Sequence, residues 1–276
     1  VHRFYISPDN WNPDALVLTG PEAHHARDVL RMKPGEKAVL FNGRGREITA
    51  EIADSNRTEI HFRKLHEAKT PPLRCRIVLG QAIPKGKNME LIVQKAVEIG
   101  AAEIAPLISE RTIVDLDPKE AAQKQLKWQQ VAIEAAKQCG QNWLPQVHRP
   151  KKLKDFFADL DSVAAVYDRR TNEDKSGAHR APLQPFRLIG SLQPDAQHLK
   201  KVLTDYSNAA AGPVEDSPWR ARTVLMLVGP EGDFTPAELA LARTHGCVPI
   251  TLGPIILRVE TAAIYCLSVL SYELLS

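Results

Sequence analysis

The sequence is short of the features that mark several large protein classes. Four cysteines occur in 276 residues, Cys75, Cys139, Cys247 and Cys266, far apart and with no Cys-x-x-Cys pair. That spacing excludes a disulfide framework and a structural zinc site, and each thiol, set in an apolar or helical stretch, reads as buried. No apolar run approaches the roughly 20 residues of a membrane-spanning helix. Val1 to Asn10 lacks the apolar core of a secretory signal, so the expected address is the cytoplasm. No internal repeat is found. No His, Cys, Asp or Glu cluster has metal-ligand spacing, and the adjacent His24 and His25 are poorly placed to share an ion, so no metal is expected. The net charge of +3 is too small to declare a nucleic-acid partner.

What is present is a hydrophobic content of 43%, enough for a small domain beside a larger one. The charge is unevenly spread. Lys and Arg against Asp and Glu number 11 to 10 over residues 1 to 72, 14 to 8 over 73 to 154 and 11 to 15 over 155 to 276. A basic middle suits phosphate contacts, and a solvated lysine-rich helix face gives the same count.

Residues 1 to 69 alternate polar and apolar over short runs, Lys37-Ala-Val-Leu-Phe41, Glu47-Ile-Thr-Ala-Glu-Ile52 and Thr58-Glu-Ile-His-Phe-Arg63, divided by turn signals. The pattern predicts a small β-barrel interrupted by a helical turn or two over Pro21 to Arg31. Thr70-Pro-Pro72 breaks regular structure and predicts a boundary, with one domain over 1–72 and another over 73–276. Beyond it strands and helices alternate, the pattern of an α/β parallel sheet with crossover helices. Strands are predicted over Cys75 to Gly80, Glu103 to Ile108, Ser162 to Tyr167, Thr223 to Val228 and Val248 to Leu252. Helices are predicted over Asn88 to Ile99, Lys119 to Cys139, Pro236 to His245 and Glu260 to Leu274. Residues 170–222, proline-rich and weakly periodic apart from a short helix over Asp195 to Leu203, read as an insertion or long connection.

Two loops concentrate the chemistry. In Leu227-Val-Gly-Pro-Glu-Gly-Asp-Phe-Thr-Pro-Ala-Glu238 a buried strand meets glycines, and Thr235-Pro-Ala-Glu238 matches a capping box with proline at the first helical position. Thr251-Leu-Gly-Pro-Ile-Ile-Leu-Arg-Val-Glu-Thr-Ala-Ala263 repeats the strand, Gly-Pro loop and helix plan. Two such loops at the carboxyl ends of parallel strands form a ligand crevice. The bland reading of the first is a well-capped turn, and that of Arg258 and Glu260 is a mutual ion pair orienting the last helix. Neither loop is a P-loop or a Gly-x-Gly-x-x-Gly, which argues against nucleoside triphosphates and dinucleotides. A ligand with base and ribose but no phosphate suits them, and S-adenosylmethionine is such a ligand.

Gly229-Pro-Glu-Gly-Asp-Phe234 and Leu252-Gly-Pro-Ile-Ile-Leu-Arg-Val-Glu-Thr-Ala262 resemble the signature of the RsmE family, 16S ribosomal RNA uridine N3 methyltransferases of the SPOUT superfamily. His24 to Gly35, Lys85-Gly-Lys-Asn-Met-Glu90, Lys95-Ala-Val-Glu-Ile-Gly100, Glu110-Arg-Thr112 and Glu134-Ala-Ala-Lys-Gln-Cys-Gly140 extend the likeness through nearly the whole chain. The resemblance implies a PUA-like RNA-binding β-barrel, then a SPOUT domain with a deep trefoil knot, an exception to unknotted topology. It also implies a homodimer with the cofactor site near the partner subunit, and a substrate of 16S ribosomal RNA, within the 30S particle. The chain departs from the family at Ile255, where arginine is frequent, at Asp233, usually glycine, at Val259, often threonine, and in the length of 170–222.

Candidate cofactor residues are Leu227, Gly229, Glu231, Gly232, Leu252, Gly253, Leu257, Thr261 and Ala262, acting mainly through main chain. Methyl transfer to uridine N3 needs that nitrogen deprotonated and its charge balanced, so Arg258 is the electrostatic candidate and Glu231 or Glu260 the proton acceptor or ribose contact. For RNA the candidates are Arg27, Arg31, Lys33, Arg44, Arg46, Lys85, Lys87 and Arg111, each also readable as a solvated surface charge. Trp128 and Trp143 read as core or dimer contacts. Rival readings are a SPOUT methyltransferase for another ribosomal or transfer RNA position, and a non-catalytic RNA-binding assembly factor.

Overall fold

A computed structural model describes residues 1–112, 116–160, 186–209 and 222–275. They form two compact units, Val1–Pro72 with Gln130–Pro145, and Leu73–Gln129 with Gln146–Ser276. No helix among the described residues is long and apolar enough to cross a membrane.

In the first unit, strands β1 (His2–Tyr5), β2 (Leu16–Thr19), β3 (Lys37–Phe41), β4 (Arg46–Ser55) and β5 (Glu59–Lys69) form a sheet ordered β1-β3-β4-β5-β2. All its pairs are antiparallel except β1 with β3. Alternation drives Ile48, Ala50 and Ile52 of β4 inward against Phe4, Leu16, Leu18, Leu40 and Ile60. Register shifts between Thr49 and Ala50 and between Ile52 and Asp54 bend the long β4–β5 pair, and the sheet curls. The helical turn expected over Pro21 to Arg31 is α1 (Gly20–His24) followed by a π turn over His25–Val29.

The boundary drawn at Thr70 to Pro72 missed one return of the chain, because residues 130–145 pack with the first unit. Lys137, its side chain only 8% exposed, pairs with Glu22 at 3.0 Å and Glu134 at 3.1 Å and lies 5.8 Å from the Phe4 ring centre. Burial raises the Glu22 carboxyl above its ordinary range, against the pull of Lys137. Buried Asn142 accepts from Arg3 at 2.6 Å and donates to Glu47 at 2.9 Å and to the Thr70 hydroxyl at 2.8 Å. Trp143 donates to the Thr70 carbonyl at 2.9 Å, and its ring stands 2.7 Å from where a Cβ on Gly45 would lie.

Among the described residues the second unit is a wholly parallel sheet. Its strands are β6 (Cys75–Ala82), β7 (Glu103–Ile108), β8 (Gln146–Val147), β9 (Lys151–Lys152), β10 (Phe186–Gly190), β11 (Gln197–His198), β12 (Arg222–Val228) and β13 (Val248–Thr251). The order is β11-β13-β10-β12-β6-β7-β8, with β9 also on β7. The helices are α2 (Asn88–Ile99), α3 (Pro118–Cys139, which belongs to the first unit from Gln130 onward), α4 (153–160), α5 (Leu199–Ala209), α6 (Pro236–Thr244) and α7 (Val259–Leu275). β6 is buried at every position but Arg76, as a strand covered on both faces must be. On α2 the apolar face read from the sequence, Met89, Ile92, Val93, Ala96 and Val97, is the buried one. Trp128 is core.

Three expectations are corrected or fall outside the described residues. Within 170–222, residues 186–190 are a central strand, not a connection, paired with β12 on one side and β13 on the other. Arg187 in so short a run hides the apolar pattern, yet it is buried there with its guanidinium donating to the His245 carbonyl at 2.7 Å. The helix expected from Asp195 starts at Leu199, after β11. The strand expected over Ser162 to Tyr167 lies outside the described residues.

Of the four thiols, Cys75, Cys247 and Cys266 are buried, but Cys139, the last residue of α3, is exposed. Burial pushes Cys247 and Cys266 up to about 12. Iodoacetamide at pH 8 is therefore expected to alkylate Cys139 alone in the native chain and all four after denaturation, read by peptide mass spectrometry. Fast native labelling of Cys247 or Cys266 contradicts the packing.

Candidate functional site

Because β13, β10, β12, β6 and β7 are parallel neighbours, their carboxyl ends share one edge and the loops that follow lie side by side. These loops are residues 83–87 after β6, 109–112 after β7, 191–196 after β10, 229–235 after β12 and 252–258 after β13. Chain order scatters them between positions 83 and 258, and only the sheet brings them together.

The loop after β12 is held from both sides. Its helix end is a full capping box: the Thr235 hydroxyl accepts from the Glu238 amide at 3.2 Å, and the Glu238 carboxylate accepts from the Thr235 amide at 2.9 Å. The same carboxylate, 6% exposed, also accepts from the Ser109 hydroxyl and the Glu110 amide, each at 3.0 Å. Arg111 donates to the carbonyl of Gly232 and, at 3.4 Å, to that of Asp233. On the opposite side, the Asp233 carboxylate accepts from the Leu192 amide at 2.9 Å and from the Phe234 amide at 2.8 Å. Asp233 sits at φ 72°, left-handed backbone that glycine adopts without strain and that Asp tolerates better than most L residues, so the turn forms with Asp in place of Gly.

A cavity of about 210 Å³ opens among these loops, with Pro84, Lys85, Gly86, Arg111, Thr112 and Glu231 on its wall. Glu231 is exposed and accepts from the Lys85 amide at 3.1 Å. After β13, Gly253 takes φ 125° with open space where a side chain would stand, so the main chain there is approachable. Ile255 and Ile256 are 75% and 76% exposed. Arg258 is exposed, and its carbonyl accepts from Ala262 at 2.8 Å to begin α7. The mutual ion pair of Arg258 with Glu260 is not formed; Glu260 instead accepts from the Asn88 side chain at 3.3 Å. Glu231 and Glu260 thus both reach the segment after β6.

The candidate cofactor residues fall on this edge with one qualification. Leu227 is fully buried inside β12, between Ile189 and Gly80, and supports the edge from within. Gly229, Glu231 and Gly232 lie in the loop after β12, Leu252, Gly253 and Leu257 in the loop after β13, and Thr261 and Ala262 in the first turn of α7. Of the RNA candidates, Lys85, Lys87 and Arg111 are at this edge, with Arg111 engaged in holding a loop. The others lie in the first unit. Arg27 is bonded to Asp28 and to the Asn56 carbonyl, Arg46 to Glu67, while Arg31, Lys33 and Arg44 are exposed and make no ion pair among the described residues. His24 bonds Asp28 at 2.6 Å, and His25 meets the Phe4 ring edge-on at 6.3 Å.

Sequence reasoning missed Ser109 and the two side chains that lock the loops, Glu238 beyond its cap role and Asp233 as a bridge. The capping box was the only signal available for Glu238, since its other partners lie 128 and 129 positions away.

A parallel α/β sheet with glycine loops gathered at the carboxyl ends of its strands is the architecture of a ligand-binding α/β protein. Residues 71–271 match the RNA methyltransferase domain family and residues 18–65 the PUA domain of RNA methyltransferases, and the chain belongs to the RNA methyltransferase family. It is 29% identical to the ribosomal RNA small subunit methyltransferase E of Bacillus subtilis, over 93% of this chain and 89% of that one. Among solved structures it resembles a putative methyltransferase from Legionella pneumophila in complex with the bound cofactor SAM, with 32% identity, TM-score 0.75 and coverage of 98% and 96%. It also resembles the ribosomal RNA small subunit methyltransferase E of Neisseria gonorrhoeae bound to S-adenosyl methionine, with 28% identity, TM-score 0.74 and coverage of 98% and 97%.

Proposed function

We propose that this chain is a cytoplasmic, S-adenosylmethionine-dependent methyltransferase acting on N3 of a uridine in the 16S ribosomal RNA of the small subunit, as a homodimer. One observation carries the reading: the loops after β12 and β13 present glycine backbone at a shared sheet edge, in a chain matching SAM-bound structures over 98% of its length.

The residues suit that cofactor. Gly253 leaves its backbone open, Gly232 at φ 87° lets the chain turn without a side chain, and the edge carries no phosphate-binding fingerprint. Gly229, Glu231, Gly232, Leu252, Gly253, Leu257, Thr261 and Ala262 would hold it. S-adenosylmethionine, when bound, supplies an electrophilic methyl group. The chain's own task is to orient the uridine and favour its N3 anion. Arg258, exposed at the start of α7, offers the cation that balances the anion. Glu231, exposed beside the cavity, takes the N3 proton, and Glu260, engaged by Asn88, positions the helix start. Lys85, Lys87 and Arg111, with Arg31, Lys33 and Arg44, offer phosphate contacts.

The trefoil knot expected of the SPOUT fold belongs to the same reading and rests on the family. After β13 the chain returns to pack α7 on α2, β6 and β12. A dimer is supported by the outward Tyr265 and Tyr272 of α7 and by Ile255 and Ile256, apolar surface that a second copy covers.

Calorimetry of the purified chain with S-adenosylmethionine is expected to show one site per chain. Methylation of unmodified 30S particles, naked 16S RNA and transfer RNA, with the modified base located by mass spectrometry, is expected to mark N3 of one uridine in the small-subunit RNA. Heat without methyl transfer to any RNA, or a mark confined to transfer RNA, would sink this reading.

A further inference from the structure

Strain and hydrogen bonding meet at one residue of the cofactor edge. Asp233 holds φ 72° with both carboxylate oxygens engaged, Oδ1 by the amide of Phe234 in its own loop and Oδ2 by the amide of Leu192 in the loop after β10. These two loops follow adjacent strands, and Leu192 lies 41 positions away in sequence. Leu192 itself is 56% exposed, so its side chain does little to anchor its loop. Without the carboxylate, hydrogen bonding at its amide falls to solvent.

We infer that Asp233 is a positioning residue, a carboxylate clip that locks the loop after β10 to the loop after β12 and so presets the cofactor cradle before any ligand arrives. The inference rests on the cofactor reading above. An L residue at positive φ is disfavoured, and two charge-assisted hydrogen bonds offset that here. Glycine is the informative replacement: it relieves the backbone strain while deleting the clip. Stability and preorganisation then separate, because the released strain counters the lost bonds, whereas loops that must be ordered on binding lower affinity. Asn, which also tolerates positive φ and keeps one acceptor oxygen, is the conservative rescue.

The test compares wild type, Asp233→Gly and Asp233→Asn, first without ligand. Amide hydrogen exchange at Leu192 is expected to be slow in wild type, at least about tenfold faster in Asp233→Gly and intermediate in Asp233→Asn. Calorimetry with S-adenosylmethionine is then expected to show about tenfold weaker binding for Asp233→Gly, within about threefold of wild type for Asp233→Asn, with melting temperatures nearly unchanged. The KM for S-adenosylmethionine rises in Asp233→Gly with kcat largely kept. Equal Leu192 exchange in all three proteins, or equal affinity in wild type and Asp233→Gly, overturns the inference. A wild type that binds no S-adenosylmethionine but still protects Leu192 refutes the cofactor reading instead and leaves the clip as a structural fact.

Discussion

Replacing Arg258 with alanine is expected to lower the methyl-transfer rate by about 100- to 1000-fold while S-adenosylmethionine binds as before, the size of effect seen when one electrostatic stabiliser of a developing anion is lost. The argument starts from the nucleophile. Uridine N3 carries a proton, and only its anion attacks readily, so the barrier falls with every interaction that is stronger for the anion than for the neutral base. Arg258 is the cation at the start of α7, is exposed, and is not committed to Glu260, whose carboxylate is bonded to Asn88. An arginine held in an ion pair has its charge already answered; this one is available. Exposure weakens it in the free chain, and bound RNA excludes the water that screens it. Lysine at 258 keeps the charge without the planar fork and should recover part of the rate. Single-turnover methylation with saturating cofactor, beside calorimetry, reads both quantities. Wild-type turnover in Arg258→Ala with normal cofactor binding removes the electrostatic role.

Glu238→Ala is expected to destabilise the chain by about 3 kcal/mol, since a buried donor left without its acceptor costs about 1–3 kcal/mol and a lost helix cap about 1 kcal/mol. Three donors lose their partner at once: the amides of Thr235 and Glu110 and the hydroxyl of Ser109. The carboxylate is 6% exposed and Ser109 is 3% exposed, so the Ser109 hydroxyl has the least access to water as a replacement partner. In a chain of this size the loss corresponds to a fall in melting temperature of roughly 6–12 °C, measurable by scanning calorimetry. Thr235→Ala, removing the cap acceptor, and Ser109→Ala, removing one donor, should each cost about 1 kcal/mol. Their sum falls short of Glu238→Ala, because each leaves the carboxylate serving its remaining partners. A Glu238→Ala chain that melts with wild type shows that the two loops are held by other contacts.

These two residues differ in how far the sequence disclosed them. Arg258 stood out as a charge inside an apolar segment, and the structure changed only its partner. Glu238 was legible as the last residue of a capping box, a signal confined to four positions, while its bonds to the loop after β7 were invisible. Asp233 was visible only as an odd residue in a glycine loop. Its reason lies in Leu192, within a stretch whose weak periodicity hid a central strand. Lys137 was visible only as part of the stretch Glu134 to Gly140, and its burial against Glu22 and Phe4 depends on a return of the chain to the first unit. Cys139 read as buried from helical spacing, but spacing does not say where packing ends along a helix.

The sequence by itself determined most elements and the two glycine loops, because periodicity, caps and turn residues act over a few positions. It also excluded phosphate-binding loops. Tertiary structure decided which loops are neighbours. The sheet runs β13-β10-β12-β6-β7, an order unlike that of the chain, so the edge joining Lys85, Arg111, Leu192, Glu231 and Arg258 depends on strand pairing between distant segments. It also decided that residues 186–190 are core, since a five-residue run with an arginine becomes a strand only when its neighbours on both sides bury it.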